Sequence, residues 1–185
     1  MERLEIVMQH IDGLLARKDK VIVAIDGKCT SGKTTLAAEL AKVYDCTVFH
    51  MDDFFLRPEQ RTQERYEQTG GNVDYERFYE EVLIPLLAGG EFAYRPFDCK
   101  TFTLLDPIRV AARKLTIIEG SYSQHPYFKD PYDLKVLLTV EEETQRRRVL
   151  ERPAFVQERF LTLWIPMENA YLEHFRIAEK ADLVL

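Results

Sequence analysis

The sequence predicts an α/β fold in which a central parallel sheet carries helices on both faces. Apolar runs alternate along the chain with segments of helical period. The run Val21–Ile25 is continuously apolar, as a strand covered on both faces should be. Residues 21–40, VIVAIDGKCTSGKTTLAAEL, read as a buried strand, a glycine-bounded loop and a helix, in that order.

Within that stretch Gly27, Gly32, Lys33 and Thr34 fit the phosphate-loop pattern G-x-x-x-x-G-K-[ST]. A polyphosphate needs many donors at close range. Backbone N–H groups supply them only where the chain wraps tightly, so Gly27 and Gly32 stand where a side chain would block the approach. The loop opens a helix whose first N–H groups lack internal partners and face the anion. Lys33 places a point charge on the outer phosphates, and Thr34 offers a hydroxyl to Mg²⁺. Gly27, Lys28, Cys29, Thr30, Ser31, Gly32, Lys33, Thr34 and Thr35 are therefore the expected ATP-binding segment. With this motif the fold class reads as the three-layer fold of P-loop NTPases, carrying a short lid.

The 185 residues suit one domain. The net charge of −6 argues against a general nucleic-acid binder, so an anion would be held by a local site. No apolar run reaches the ~18 residues a membrane span needs. Charges interrupt Met1–Arg17, which has no signal-peptide h-region. Cys29, Cys46 and Cys99 are odd in number and lack C-x-x-C spacing, which reads as reduced thiols in a cytoplasmic protein. Cys29 falls inside the phosphate loop and reads as a tolerated small side chain. The expected partner is a small molecule, and a homo-oligomer is allowed.

Leu4, Val7, Ile11, Leu14 and Leu15 make residues 1–17 an amphipathic helix. Thr47–Met51 is a second strand, with Asp52 and Asp53 at its carboxyl end, where open α/β sheets bind ligands. Leu56–Asn72 is either a connector with a helical stretch from Glu59 to Gln68 or a loop over the substrate. Tyr75–Ala88 reads as a helix that Pro85 kinks and Gly89 and Gly90 stop. The aromatics and threonines of Phe92–Leu105 alternate as in a small β-hairpin. Leu115–Ile118 and Leu134–Val140 are further strands, and Glu141–Arg152 is a helix. Val156–Ala178 is helical with an interruption at Pro166, and Leu183–Leu185 is a last short strand.

Glu119 ends the strand Leu115–Ile118, where P-loop proteins keep the acid that holds Mg²⁺, directly or through water. Asp52 and Asp53 are adjacent, so in extended chain they point to opposite sides and one of them faces the phosphates. That one could serve as general base, or either could cap a turn; the local pattern leaves both open. Arg146, Arg147, Arg148, Arg152 and Arg159 make a basic run in an acidic chain. One or two of these would reach a transferring phosphoryl group. The rest complement the helix dipole after Glu141, Glu142 and Glu143. His10, His50, His125 and His174 share no spacing and receive no role. Trp164 and Tyr171 lie at helical spacing and read as core.

Taken together, DGKCTSGKTTLA, HMDDFF, NVDYERF, IIEG and RRRVLER stand in an order that resembles the uridine kinase-like branch of P-loop kinases. That branch includes uridine–cytidine kinases and nicotinamide riboside kinases, and LWIPMENAYLEHF is similar to a helix of the latter. The resemblance implies a parallel sheet with an arginine-bearing lid over about 146–160. It implies transfer of the ATP γ-phosphoryl group to the 5′-hydroxyl of a ribosyl substrate, with Mg²⁺. It points to Asp52 as base and as a residue near the metal, to Asp74 as the ribose-binding acid, and to Thr34 and Glu119 at Mg²⁺. Phe55, Phe97 and Arg159 join Asp52 and Asp74 in the expected substrate site, and Arg148 and Arg152 join Lys33 and Asp52 in the expected catalytic set. Nicotinamide riboside or a pantothenate-type alcohol is the alternative acceptor, and an ATPase or nucleotide switch acting on a protein is the alternative class. The chain departs from the base-reading pattern of uridine–cytidine kinases, with Phe97-Asp98 in place of Tyr-Asp and Phe102 in place of a histidine.

Overall fold

The structure is a computed structural model and describes residues 2–185. Helix α1 (Arg3–Leu15) leads to strand β1 (Val21–Gly27), and the phosphate loop joins β1 to helix α2 (Lys33–Val43). Strand β2 (Cys46–His50) runs into a 3₁₀ turn, Met51–Phe54. Helix α3 (Gln63–Glu67) is short. Helix α4 (Tyr75–Phe78) passes through a π turn (Tyr79–Leu83) into α5 (Ile84–Ala88). Four short strands follow: β3 (Phe92–Tyr94), β4 (Phe97–Asp98), β5 (Thr103–Leu104) and β6 (Ile108–Val110). Strands β7 (Leu115–Glu119) and β8 (Leu134–Leu138) return to the main sheet. Helix α6 (Glu142–Leu150) precedes α7 (Ala154–Arg159), a second π turn (Phe160–Trp164) and α8 (Ile165–His174). Helix α9 (Ile177–Lys180) and strand β9 (Leu183–Val184) close the chain.

The five-stranded sheet has the order β2-β7-β1-β8-β9, and every neighbouring pair is parallel. Strands β1 and β7 are buried along their whole length. Their side chains divide between the faces with period two. Val21, Val23, Ile25 and Ile117 pack against Val7 and Ile11 of α1 and Leu36 and Leu40 of α2. Ile22 and Ile118 pack on the other face, with Phe49, Phe54, Phe78, Val82, Tyr171 and Ile177. Covering both faces in this way makes the three layers expected of the sequence.

Several boundaries differ from the sequence reading, for local reasons. Pro85 and Pro166 do not interrupt their helices. Each sits just inside a helical segment that begins where a π turn ends. A proline has no N–H to give, and the wider turn before it absorbs the misfit. The break comes instead at Phe175–Arg176, where Arg176 takes φ +52. The hairpin region runs to Val110, with β3 paired to β6 and β4 to β5. Pro96 and Pro107 lie between the two ladders, which neither can continue. Within residues 56–72 the helix shrinks to a 3₁₀ turn, Pro58–Gln60, and α3. Arg65 pins this segment by donating to the carbonyls of Gly71 and Val73 and, at 2.6 Å each, to both carboxylate oxygens of Glu76.

His125 is buried against Tyr75, ring centroids 4.4 Å apart, and its Nδ1 accepts the N–H of Tyr127. Burial first, and the Arg65 charge second, lower its pKa to about 4. The unfolded chain therefore binds more protons than the folded one between about pH 6.5 and 4, so stability falls as pH drops through that window. The full loss is on the order of 3 kcal/mol. Denaturant titrations at stepped pH are expected to show this slope, and His125→Asn, which keeps an acceptor for Tyr127, is expected to flatten it.

Candidate active site

The sheet order brings the carboxyl ends of β2, β7 and β1 side by side. Glu119 lies in register between Ile25 and His50. The phosphate loop therefore rises next to the strand-end acids without any long side chain having to reach.

Gly27 has φ +141, and a Cβ there would lie 2.1 Å from the carbonyl oxygen of Leu138 on β8. Only glycine fits. Gly27→Ala is expected to destabilise the fold by about 2–3 kcal/mol, because the clash is with backbone that cannot rotate away; the midpoint of chemical denaturation measures this. Gly32 is different. Its φ is +101 and a Cβ would meet nothing within 4 Å. What this position needs is the left-handed turn into α2, with open space above it.

Lys33 folds back along the loop, its Nζ donating to the carbonyls of Gly27 (2.8 Å) and Lys28 (2.9 Å). The residues Cys29 through Thr35 line a cleft of about 1450 Å³, whereas Gly27 and Lys28 lie behind it and supply these carbonyls. Thr30 Oγ1 and Ser31 Oγ are buried and unpartnered among the described residues. Unfilled hydroxyls beside a helix N-terminus fit a phosphate oxygen.

Thr34 Oγ1 stands 3.3 Å from both carboxylate oxygens of Glu119. Glu119 is buried and also meets His50 Nδ1 at 2.5 Å. That contact raises the His50 pKa, against an opposing effect of burial. Among the described residues no three His, Cys, Asp or Glu side chains gather as a metal cage. A hydroxyl and one carboxylate suit Mg²⁺, which keeps waters and phosphate oxygens for its other positions.

Asp52 and Asp53 are not in extended chain. They share the 3₁₀ turn Met51–Phe54. Asp53 accepts the Tyr94 hydroxyl at 3.0 Å, while Asp52 lines the cleft. Asp52 is open to solvent on the cleft side, yet the walls thin its hydration. Desolvation, then the charge of Glu119, pushes its carboxyl above the usual range, and Lys33 and His50 oppose the shift.

Arg148, Arg152, Arg159 and Phe55 all line the cleft. Arg148 donates to the Thr30 carbonyl at 2.7 Å, and Arg152 lies 4.5 Å over the Phe160 ring. Arg146 and Arg147 are exposed on α6 and do not line it. Phe102 also lines the cleft, with Arg61 5.0 Å over its ring. Leu56, Arg61, Tyr66 and Asn72 make residues 56–72 a wall of the cleft and not a bare connector.

Two expected substrate residues are placed elsewhere. Asp74 is 1% exposed and off the cleft wall. It accepts the Arg77 amide at the start of α4 and lies 3.5 Å from Arg57 Nε and 3.4 Å from Arg77 Nε. Capping the helix takes up one carboxylate oxygen, and the other, Oδ2, faces the two guanidinium groups without a hydrogen bond among the described residues. Phe97 is likewise buried behind Arg61 and Phe102. Cys29 lines the cleft, but its amide is spent on Glu168 Oε2 at 2.7 Å. Burial and the Glu168 charge push its thiol up to about 12.

The sequence reading passed over four residues that hold this site. His50 meets Glu119 because β2 neighbours β7, which the spacing does not show. Asp26, wholly buried, accepts the amides of Gly27, Tyr122 and Gln124 and the Tyr171 hydroxyl. A carboxylate just before the phosphate loop in an apolar run was the signal for it. Ser121 and Glu168 come together only through the fold, with Ser121 Oγ donating to Glu168 Oε1 at 2.7 Å.

No family model matches the chain, and no curated protein sequence matches it. Solved structures do. A protein described as a possible uridine kinase from Bacillus stearothermophilus is 23% identical over 97% of this chain and 98% of its own, with a TM-score of 0.69. One described as a candidate fructose transport system kinase from Silicibacter sp. TM1040 is 22% identical over 100% of both chains, with a TM-score of 0.66. A D-glycerate 3-kinase from Cryptococcus neoformans is 11% identical over 92% of this chain and 90% of its own, with a TM-score of 0.64. The chain has the fold of P-loop kinases.

Proposed function

We propose that the protein is an ATP- and Mg²⁺-dependent kinase that phosphorylates the primary 5′-hydroxyl of a nucleoside. One observation carries this reading: a single cleft holds the phosphate loop, the Thr34–Glu119 pair and the Asp52 carboxylate, with room beside Asp52 for an alcohol. Lys33 and the amides of residues 30–34 would bind the β- and γ-phosphates. Thr34 and Glu119 would hold Mg²⁺, which supplies charge neutralisation at the phosphates. Asp52 accepts the proton of the attacking hydroxyl, and Arg148, Arg152 and Arg159 neutralise charge on the transferring group. Phe55 and Phe102 offer flat apolar surface to the acceptor. Phosphoryl transfer needs little covalent help, so positioning and electrostatics do most of the work. A cytoplasmic location goes with this reading, and the free Cys29, Cys46 and Cys99 support it. No helix among the described residues is long and apolar enough to cross a membrane.

A non-nucleoside alcohol is the second reading. Phe102 on the cleft wall offers no hydrogen bond to a base, and two of the similar folds are described as a fructose transport system kinase and a D-glycerate 3-kinase. The deciding experiment incubates the protein with MgATP and, separately, uridine, cytidine, nicotinamide riboside, purine nucleosides, pantothenate, fructose and D-glycerate. Mass spectrometry scores the phosphorylated product. A nucleoside 5′-phosphate is expected. Product only from a non-nucleoside favours the second reading, and ATP hydrolysis indifferent to every acceptor overturns both.

A further inference from the structure

Glu168 is an acid that the phosphoryl-transfer chemistry above does not use. It is 7% exposed, on α8, with its carboxylate against the phosphate loop. Oε2 accepts the Cys29 N–H and Oε1 accepts the Ser121 hydroxyl, each at 2.7 Å. Ser121 also lies 3.2 Å from the Gly27 carbonyl, the same oxygen that receives Lys33 Nζ. Ser121 is two residues beyond Glu119. One carboxylate thus joins the loop, the turn after the Mg²⁺-side acid and the resting place of Lys33.

The helix that carries Glu168 continues from the lid. Residues 154–174 run without a break from α7 through the π turn into α8. Arg159, Phe160 and Trp164, which line the cleft, stand four to nine residues before Glu168 on this rod. A rod fixed at Glu168 carries those side chains at a set height over the loop.

We propose that Glu168 is a positioning residue: it clamps the lid rod to the phosphate loop through Cys29 and Ser121, so that loop shape and lid placement are set together. Its role is geometric. Glutamine can make the same clamp, with its carbonyl on Cys29 N–H and its amide donating to Ser121, whose own hydrogen turns to Gly27. Alanine can make neither bond.

Two readouts test the clamp. The first is alkylation of Cys29 by iodoacetamide, followed by peptide mapping to separate it from Cys46 and Cys99; it does not depend on the proposed kinase reaction. Loss of Glu168 removes a charge that holds the thiol protonated and loosens the loop that covers it. Each pKa unit lost gives about tenfold more thiolate. Both variants lose that charge, and only Glu168→Ala also loosens the loop, so Glu168→Ala is expected to label faster than wild type and at least about tenfold faster than Glu168→Gln. The second readout rests on the kinase reading. In the assay above, Glu168→Ala is expected to lose about 10²-fold in kcat through misplaced lid groups, with kcat largely restored in Glu168→Gln. Labelling of Glu168→Ala at the wild-type rate overturns the clamp whatever the enzyme assay gives. A Glu168→Gln variant that labels as fast as Glu168→Ala replaces a geometric role by one of charge. Fast labelling of Glu168→Ala with wild-type kcat separates the loop from the lid and overturns their coupling. Failure of wild type to phosphorylate any acceptor overturns the kinase reading and leaves the labelling result standing.

Discussion

Lys33→Ala is expected to lower kcat/KM for phosphoryl transfer by about 10³-fold. Lys33 is 8% exposed as a residue, so its charge acts with reduced screening. In the resting site it lies on the carbonyls of Gly27 and Lys28, which are weaker partners than a phosphate. Moving it onto the β- and γ-phosphates exchanges two neutral acceptors for anionic ones, and the gain grows as charge shifts in the transition state. Alanine leaves that charge unanswered. A coupled assay gives the rate, titration with MgATP gives the affinity, and circular dichroism checks that the fold persists. Turnover within a few fold of wild type would remove Lys33 from the machinery.

Asp52→Asn is expected to cost about 10²–10⁴-fold in kcat, with little change in the affinity for MgATP. Asparagine keeps the shape but cannot take a proton. The effect should be specific to Asp52. Asp53 is turned to Tyr94, so Asp53→Asn should lower stability slightly and leave kcat near wild type. The pH dependence has a definite sign. Desolvation in the cleft and the Glu119 charge raise the Asp52 pKa, so the base is lost to protonation at a higher pH than an ordinary aspartate would be. The acid limb of the kcat profile is expected to lie above the usual carboxylate range in wild type and to be absent in Asp52→Asn. Wild-type kcat in Asp52→Asn would take the base away from this residue.

Much of the fold was legible because each signal was local. The run Val21–Ile25 reads as a doubly covered strand from composition alone, and it is buried throughout. The positions of Gly27 and Gly32 carry their own reason, since their φ values of +141 and +101 suit few other residues. Glu119 was legible as a strand-end acid, and the structure sets it 3.3 Å from Thr34. The prolines misled. In a one-dimensional pattern Pro85 looks like a kink and Pro166 like a break, but the helix runs on past each through the π turn that precedes it.

Asp74 shows where the site itself went beyond the sequence. A carboxylate in NVD looks free in the primary structure, and only the folded chain shows Arg57 and Arg77 beside it. The four supporting residues follow the same rule. The pairs His50 with Glu119, Asp26 with Tyr171, Glu168 with Cys29 and Ser121 with Glu168 are separated by 47 to 145 residues.

By itself the sequence determined the strand–loop–helix that opens the sheet, because periodicity, glycine geometry and the charge of Lys33 are properties of neighbouring residues. The resemblance pointed to Asp52, but tertiary structure alone shows which carboxylates are already engaged and which helix hydrogen-bonds the loop. Those depend on strand order and side-chain partners far apart in the chain, and burial makes each such partner a strong constraint that no local spacing encodes.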